Sequence, residues 1–276
     1  MSKNYSYKTS DGNKISITTY GNENISNNGC IIIAHGFKGF KDWGFFPFSA
    51  DYLAKKGFFV ITFNFSHNGI GHNKFEFTEL EDFANNTFSL EVDELSEIVN
   101  AYKQNYFGNS NNNKIGLLGH SRGGAISLIT ANQLNTISAI VTWASVSNLD
   151  RYSTRQKEEW RKRSYFAVMN MRTKQEMRLN VSLLNDLEMN INNKLNIPKA
   201  VKKLNIPLLI AHGKEDLAVK YSEAEKLYEF SDKSKTELCL IENCGHTFGC
   251  VHPFEGSNKI FNDLLETTSN YFKQNI

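Results

Sequence analysis

Short runs of uninterrupted apolar residues, separated by longer stretches of helical periodicity, constrain this chain more than any other feature. Residues 30–35 read CIIIAH, residues 58–65 read FFVITFNF, and similar runs occupy 114–119, 139–144 and 206–212. A strand with one wet face alternates apolar and polar residues. A strand that is apolar throughout must be covered on both sides, which a parallel sheet achieves by laying helices over each face. The intervening segments suit that role. Residues 48–56 read as a helix that stops at Gly57. Residues 87–106 carry Leu90, Leu95, Ile98, Val99 and Tyr102 at helical spacing, with carboxylates early and Lys103 late, as the helix dipole favours. Further helices are predicted over 125–134, 221–230 and 257–271, and a sixth strand over 237–241. The alternation predicts an α/β fold with a doubly wound, mostly parallel sheet. An N-terminal β-hairpin, 5–9 with 14–20 about the Asp11-Gly12 turn, precedes it.

One stretch breaks the alternation. Residues 147–205 are too many for a single crossover, so they are predicted to form a helical cap inserted after the fourth buried strand, over the C-terminal edge of the sheet. Residues 1–146 and 206–276 then make one core domain. At 276 residues with 40% hydrophobic content, the chain can bury such a core and does not resemble a disordered one. The balance of 31 basic against 29 acidic residues argues against a nucleic-acid partner. The N-terminus has no apolar signal-peptide core, and the apolar runs are too short to span a membrane. Cys30, Cys239, Cys244 and Cys250 form no C-x-x-C pair and are expected as free thiols in a reducing, cytoplasmic setting. No H-E-x-x-H cluster and no G-x-G-x-x-G turn after a strand occur, so neither a metal nor a dinucleotide cofactor is expected.

The densest chemical signal is Gly119-His120-Ser121-Arg122-Gly123-Gly124, set between a buried strand and a helix. A strand-to-helix turn this sharp projects Ser121 above the sheet. The small residues two before and two after it let neighbouring backbones approach, and the helix N-terminus behind it supplies free N–H groups and positive dipole. A serine hydroxyl near neutral pH needs a base, usually a histidine oriented by a carboxylate. His246 lies in a Gly-flanked loop directly after the last strand, and Asp216 follows the fifth apolar run, with Glu215 as its local rival. The expected catalytic residues are therefore Ser121, Asp216 and His246, in an order shared with α/β-hydrolases and not with chymotrypsin or subtilisin.

Through HGFKGF (35–40), GHSRGG (119–124), HGKEDLAV (212–219) and GHTFG (245–249), the sequence resembles the α/β-hydrolase superfamily over essentially its whole length. Within that superfamily it is similar to the bacterial cinnamoyl/feruloyl-esterase-like and dienelactone-hydrolase-like enzymes. The resemblance implies an oxyanion hole formed by the backbone N–H groups of Phe37 and Arg122. It departs from dienelactone hydrolase proper, which uses a cysteine nucleophile where this chain has Ser121.

The implied activity is cofactor-independent hydrolysis of small to medium carboxylic esters, so the expected partner is a small-molecule ester. Oligomeric state is left open, a homodimer included. Two alternatives stand beside it: amide or peptide hydrolysis on the same triad, and a non-catalytic binding protein of the same fold. Arg151, Arg155, Lys157, Arg161, Lys162 and Arg163 cluster in the cap; they read either as a solvated face or as a lid that attracts an acidic substrate. Trp160, Tyr165, Phe166, Met169 and Met171 on the cap, and Phe37, Phe40, Trp43, Phe45 and Phe46 on the opposite side, are candidate pocket walls. His67 and His72 frame a loop that could border the site.

Overall fold

The computed structural model describes residues 2–71 and 76–276; the expectation for His72 lies outside the described residues. An antiparallel hairpin of β1 (Lys3–Lys8) and β2 (Lys14–Tyr20) comes first. Then follow β3 (Cys30–Ala34), α1 (Phe46–Lys55), β4 (Phe59–Phe63), α2 (Leu80–Asn85), α3 (Phe88–Lys103), β5 (Ile115–His120), α4 (Arg122–Gln133) and β6 (Ile137–Trp143). The long connection holds α5 (Thr154–Arg163), β7 (Tyr165–Asn170), β8 (Gln175–Asn180), α6 (Val181–Asn190) and α7 (Ile197–Lys203). The chain closes with β9 (Leu208–Gly213), α8 (Ser222–Phe230), β10 (Thr236–Ile241) and α9 (Lys259–Asn275).

Eight strands form one mixed sheet in the order β1-β2-β4-β3-β5-β6-β9-β10, parallel from β4 onward. Strands β3, β4, β5 and β9 are buried at every position, for the reason their composition predicts. Ile31 and Ile33 of β3 pack into a cluster with α1 and α9, while Cys30, Ile32 and Ala34 join a cluster with α3 and α4 on the other face. Each such isoleucine contributes about 1.5–3 kcal/mol by leaving water. Because the strands from β4 to β10 are parallel, the segments after β3, β5, β9 and β10 all emerge at the same edge. That edge carries the site.

The connection between β6 and β9 has helices, as the helical cap expected from sequence requires, and strands besides. It contains a two-stranded antiparallel hairpin, β7–β8, in which Met177 and Leu179 turn inward while Glu176 and Arg178 face solvent. Its last helix, α7, packs on α4 and α8 as the crossover between the two strands. Trp160, Leu179, Leu183 and Leu187 lie in the same buried cluster as α3 and α4, so the connection shares the core of the sheet. All four cysteines are free. Among the described residues, no helix is long and apolar enough to cross a membrane.

Candidate active site

Ser121 stands between β5 and α4 with φ 56° and ψ −121°, a backbone state that residues other than glycine rarely adopt. Its N–H donates to the Trp143 carbonyl at 2.8 Å, which ties the turn to β6. The glycines around it are demanded by contact. A Cβ on Gly119 would stand 2.4 Å from the Gly123 carbonyl oxygen, and one on Gly123 would stand 2.3 Å from that of Ala34. The loop after β3 presses on the serine from the other side, since a Cβ on Gly36 would lie 2.9 Å from Ser121 Cβ. His35 braces that loop. Its Nδ1–H donates to the Gly36 carbonyl at 2.9 Å and its Nε2 accepts from the Phe65 N–H at 3.2 Å, which assigns the neutral ring. Burial holds the His35 pKa down at about 4.

Asp216 and His246 meet across the loops after β9 and β10, which are joined where the Glu215 N–H donates to the Cys244 carbonyl at 2.9 Å. Asp216 Oδ2 accepts from His246 Nδ1 at 2.7 Å, and Oδ1 accepts from the Ala218 and Val219 N–H groups at 2.8 Å each. His212, fully buried, lies with Nε2 3.3 Å from Asp216 Oδ2 and 2.8 Å from the Val219 carbonyl oxygen. Burial alone would push the Asp216 carboxyl up. The hydrogen bonds from His212, His246 and the Val219 amide outweigh it and hold the group well below the usual carboxylate range. Glu215, its rival in the sequence, is exposed. His120 fixes the His246 backbone: its Nε2–H donates to the His246 carbonyl at 2.9 Å, and burial keeps its own pKa at about 3.

Ser121 and His246 line the same two cavities, without a hydrogen bond between them among the described contacts. The larger cavity, about 470 Å³, is walled by Phe37, Leu149, Tyr152 and Val219; the smaller, about 260 Å³, by Trp43, Phe46 and Met171. Phe37 and Arg122 both border the larger cavity beside Ser121, and neither backbone N–H has a backbone acceptor among the described residues.

The sequence used Arg122 only through its backbone. In the structure its guanidinium is buried, with Nη1 3.2 Å from Glu91 Oε1, and stacks over Phe37 and Phe88 at 4.2 and 4.8 Å. Burial pushes the Glu91 pKa up, partly offset by Arg122 and by the Asn86 amide. Together these contacts lock α3, the nucleophile turn and the loop after β3 into one unit. The signal that sequence reading missed is a buried glutamate on an amphipathic helix.

Other sequence expectations resolve differently. Arg155 pairs with Glu159, Lys157 with Asp150 and Arg161 with Glu188, as a solvated face does. Among the described residues, Arg151 alone of that basic group lines either cavity. Trp160 is fully buried against Tyr152 and Phe166, so it packs the connection between β6 and β9 and does not wall the site. Phe40 and Phe45 belong to the core. His67 hydrogen-bonds to Ser66 and borders neither cavity. Among the described residues, no group of three or more His, Cys, Asp or Glu side chains could hold a metal ion.

A parallel-centred sheet with a serine on a strained strand-to-helix turn, and a carboxylate–imidazole pair on the neighbouring loops, defines an α/β-hydrolase superfamily serine hydrolase. Within it, the chain belongs to the prolyl oligopeptidase family (Peptidase_S9), which matches residues 43–275. Solved structures with the same fold include the α/β-hydrolase GrgF from Penicillium sp. sh18, at 16% identity and TM-score 0.75, covering 99% of this chain and 98% of that one. Est1E from Butyrivibrio proteoclasticus, solved with ferulic acid bound, aligns at 17% identity and TM-score 0.72 over 97% and 98%. The esterase Pf2001 from Pyrococcus furiosus aligns at 19% identity and TM-score 0.66 over 100% and 90%. No curated protein sequence matches the chain.

Proposed function

We propose that this protein hydrolyses carboxylic esters of small to medium acyl or aryl substrates through a Ser121–His246–Asp216 triad. The observation that carries the reading is the 2.7 Å hydrogen bond from His246 Nδ1 to a buried, ionised Asp216, on the sheet edge where Ser121 is held on its turn. With Nδ1–H committed to Asp216, Nε2 is left to accept a proton. It takes the Ser121 proton as Oγ bonds to the carbonyl carbon, and the Phe37 and Arg122 amides hold the oxyanion. His246 then protonates the departing alkoxide as the C–O bond breaks, and water repeats the sequence to release the acid. Each oxyanion donor contributes about 10²–10³ in rate. In an unliganded site the serine–imidazole hydrogen bond is commonly long and tightens when substrate is bound. The segment 147–205 serves as a cap, contributing Asn148, Leu149, Arg151 and Tyr152 to the larger cavity.

Family membership favours a second reading, amide or peptide hydrolysis on the same triad. The charge of the site supports esters over peptides with a free amino terminus, because among the described residues no Asp or Glu lines either cavity to pair with an ammonium group. The complex of Est1E with ferulic acid is consistent with an aryl acid in such a fold. The test is a panel of p-nitrophenyl esters of rising chain length, hydroxycinnamate methyl esters and aminoacyl anilides. Turnover of esters well above anilides, lost by at least about 10³-fold in Ser121→Ala, is expected. Turnover confined to the anilides supports the peptidase reading, and full activity in Ser121→Ala removes the triad.

A further inference from the structure

The larger cavity holds a charge imbalance that hydrolysis of a neutral ester does not require. Lys38, Arg122 and Arg151 border it, and among the described residues no carboxylate does. Arg122 has its counter-ion in Glu91. Among the described residues, the other two have no carboxylate partner: Lys38 Nζ donates to the Met169 carbonyl at 3.1 Å and lies 5.5 Å from the centre of the Phe37 ring, and Arg151 Nη2 donates to the Ala218 carbonyl at 3.0 Å. A carbonyl satisfies one donor and orients the head group, but leaves its full charge in place. Lys38 is also half-buried and held at φ 56° in the loop that carries Phe37. Its pKa is lowered first by burial and then by Arg122, as expected of a cation set in a positive field. The Tyr152 phenol borders the same cavity and adds a neutral donor; burial raises its pKa, Arg122 and Arg151 lower it, and Asp150 and Glu91 act against them.

Two positive charges bordering one concave cavity beside the nucleophile, Lys38 half-buried and Arg151 exposed at its rim, attract an anion more strongly than the same charges would on a flat surface. The paired cations of the outer cap face, Arg155 and Arg161, offer no comparable excess. We infer that the larger cavity is a subsite for an anionic group of the substrate, bound by Lys38 and Arg151 with help from Tyr152. This rests on the ester-hydrolase reading and narrows it to esters bearing a carboxylate or similar anion on either their acyl or their alcohol portion.

Two substrate pairs separate those sources. The p-nitrophenyl monoester of glutaric acid against p-nitrophenyl pentanoate places the anion on the acyl side. The 4-(butanoyloxy)benzoate anion against its methyl ester places it on the alcohol side. In at least one pair, kcat/KM is expected to favour the anionic member by about tenfold or more at low salt, and the preference should shrink as salt is raised. Lys38→Met and Arg151→Met should each cut that ratio severalfold. Equal or reversed preference in both pairs, or a ratio that survives both substitutions, overturns the subsite. Binding without turnover is read by calorimetry with the unhydrolysable ether 4-butoxybenzoate and its amide. Tighter binding of the anion, weakened in Lys38→Met, supports the subsite even if no ester is cleaved. Where esters are cleaved, the absence of an anionic preference decides against the subsite and leaves neutral-ester hydrolysis standing; where none is cleaved, equal binding of the two ethers decides against it.

Discussion

At the scale of single residues, the site depends on how closely backbones approach Ser121. Gly36 is the sharpest case, since an added Cβ would meet Ser121 Cβ at 2.9 Å and the His120 carbonyl oxygen at 3.1 Å. Gly36→Ala should therefore displace the serine or the loop after β3 and lower kcat/KM by about 10²-fold, while steady-state kinetics beside a thermal melt shows the fold retained. Asp216→Asn keeps the shape of the acid but loses the charge that orients the imidazole, so kcat should fall by about 10³–10⁴-fold; a loss below tenfold would mean that His246 is oriented by something else. The positions of these residues were legible in the sequence because each falls at a strand end and in a short polar, Gly-rich segment. Lys38 and Glu91 were not. Nothing in their neighbourhoods shows that a lysine would be half-buried, or a glutamate wholly so, until the loop after β3 packs on α3 and α4.

Among the elements, α3 does more than cover the sheet. Its Glu94 accepts from both the N–H and the hydroxyl of Ser66, pinning the turn that follows β4. Burial raises the Glu94 pKa to about 7, against the lowering effect of the Ser66 hydrogen bonds. The folded chain thus keeps a proton that the unfolded chain releases near about pH 4.3, so stability is full below that point and falls as pH rises through about 7. Urea midpoints from about pH 5 to about pH 8 should decline more steeply for the wild type than for Glu94→Gln, with a difference of up to about 3 kcal/mol across the window. Parallel curves would show that the carboxyl is not buried as described. The fully apolar strands were readable at this scale because coverage on both faces leaves no room for a polar residue. The hairpin β7–β8 was not. Its segments mix Gln, Glu and Arg with Met and Leu around a turn without glycine, closed by Lys174 at φ 59°, and that composition also suits a solvated helix. The start of α4 was placed late for a related reason: Gly123 and Gly124 read as a turn, but they form its first turn because β3 and Ser145 crowd them.

For the whole molecule, the cap and the sheet are one packed body. Trp160 is fully buried in the cluster that also contains α3 and α4. Trp160→Ala should cost about 3–5 kcal/mol of global stability and leave a single unfolding transition by calorimetry; a separate low-temperature transition would mark the cap as an independent unit. The α/β architecture was visible in the order of apolar runs, whereas the continuity of the core into the cap depends on contacts between residues far apart in sequence. The near-zero net charge of the chain likewise conceals how charge is distributed, with Arg155, Lys157 and Arg161 paired to carboxylates on the cap while Lys38 and Arg151, without a carboxylate partner among the described residues, border the larger cavity. The claim that joins these scales is that Ser121 is the nucleophile. Mass spectrometry of the protein after exposure to a fluorophosphonate probe tests it most directly. The account requires one adduct, on the peptide containing Ser121, absent from Ser121→Ala and formed more slowly in Asp216→Asn. An adduct on another residue, or undiminished labelling of Ser121→Ala, would contradict it.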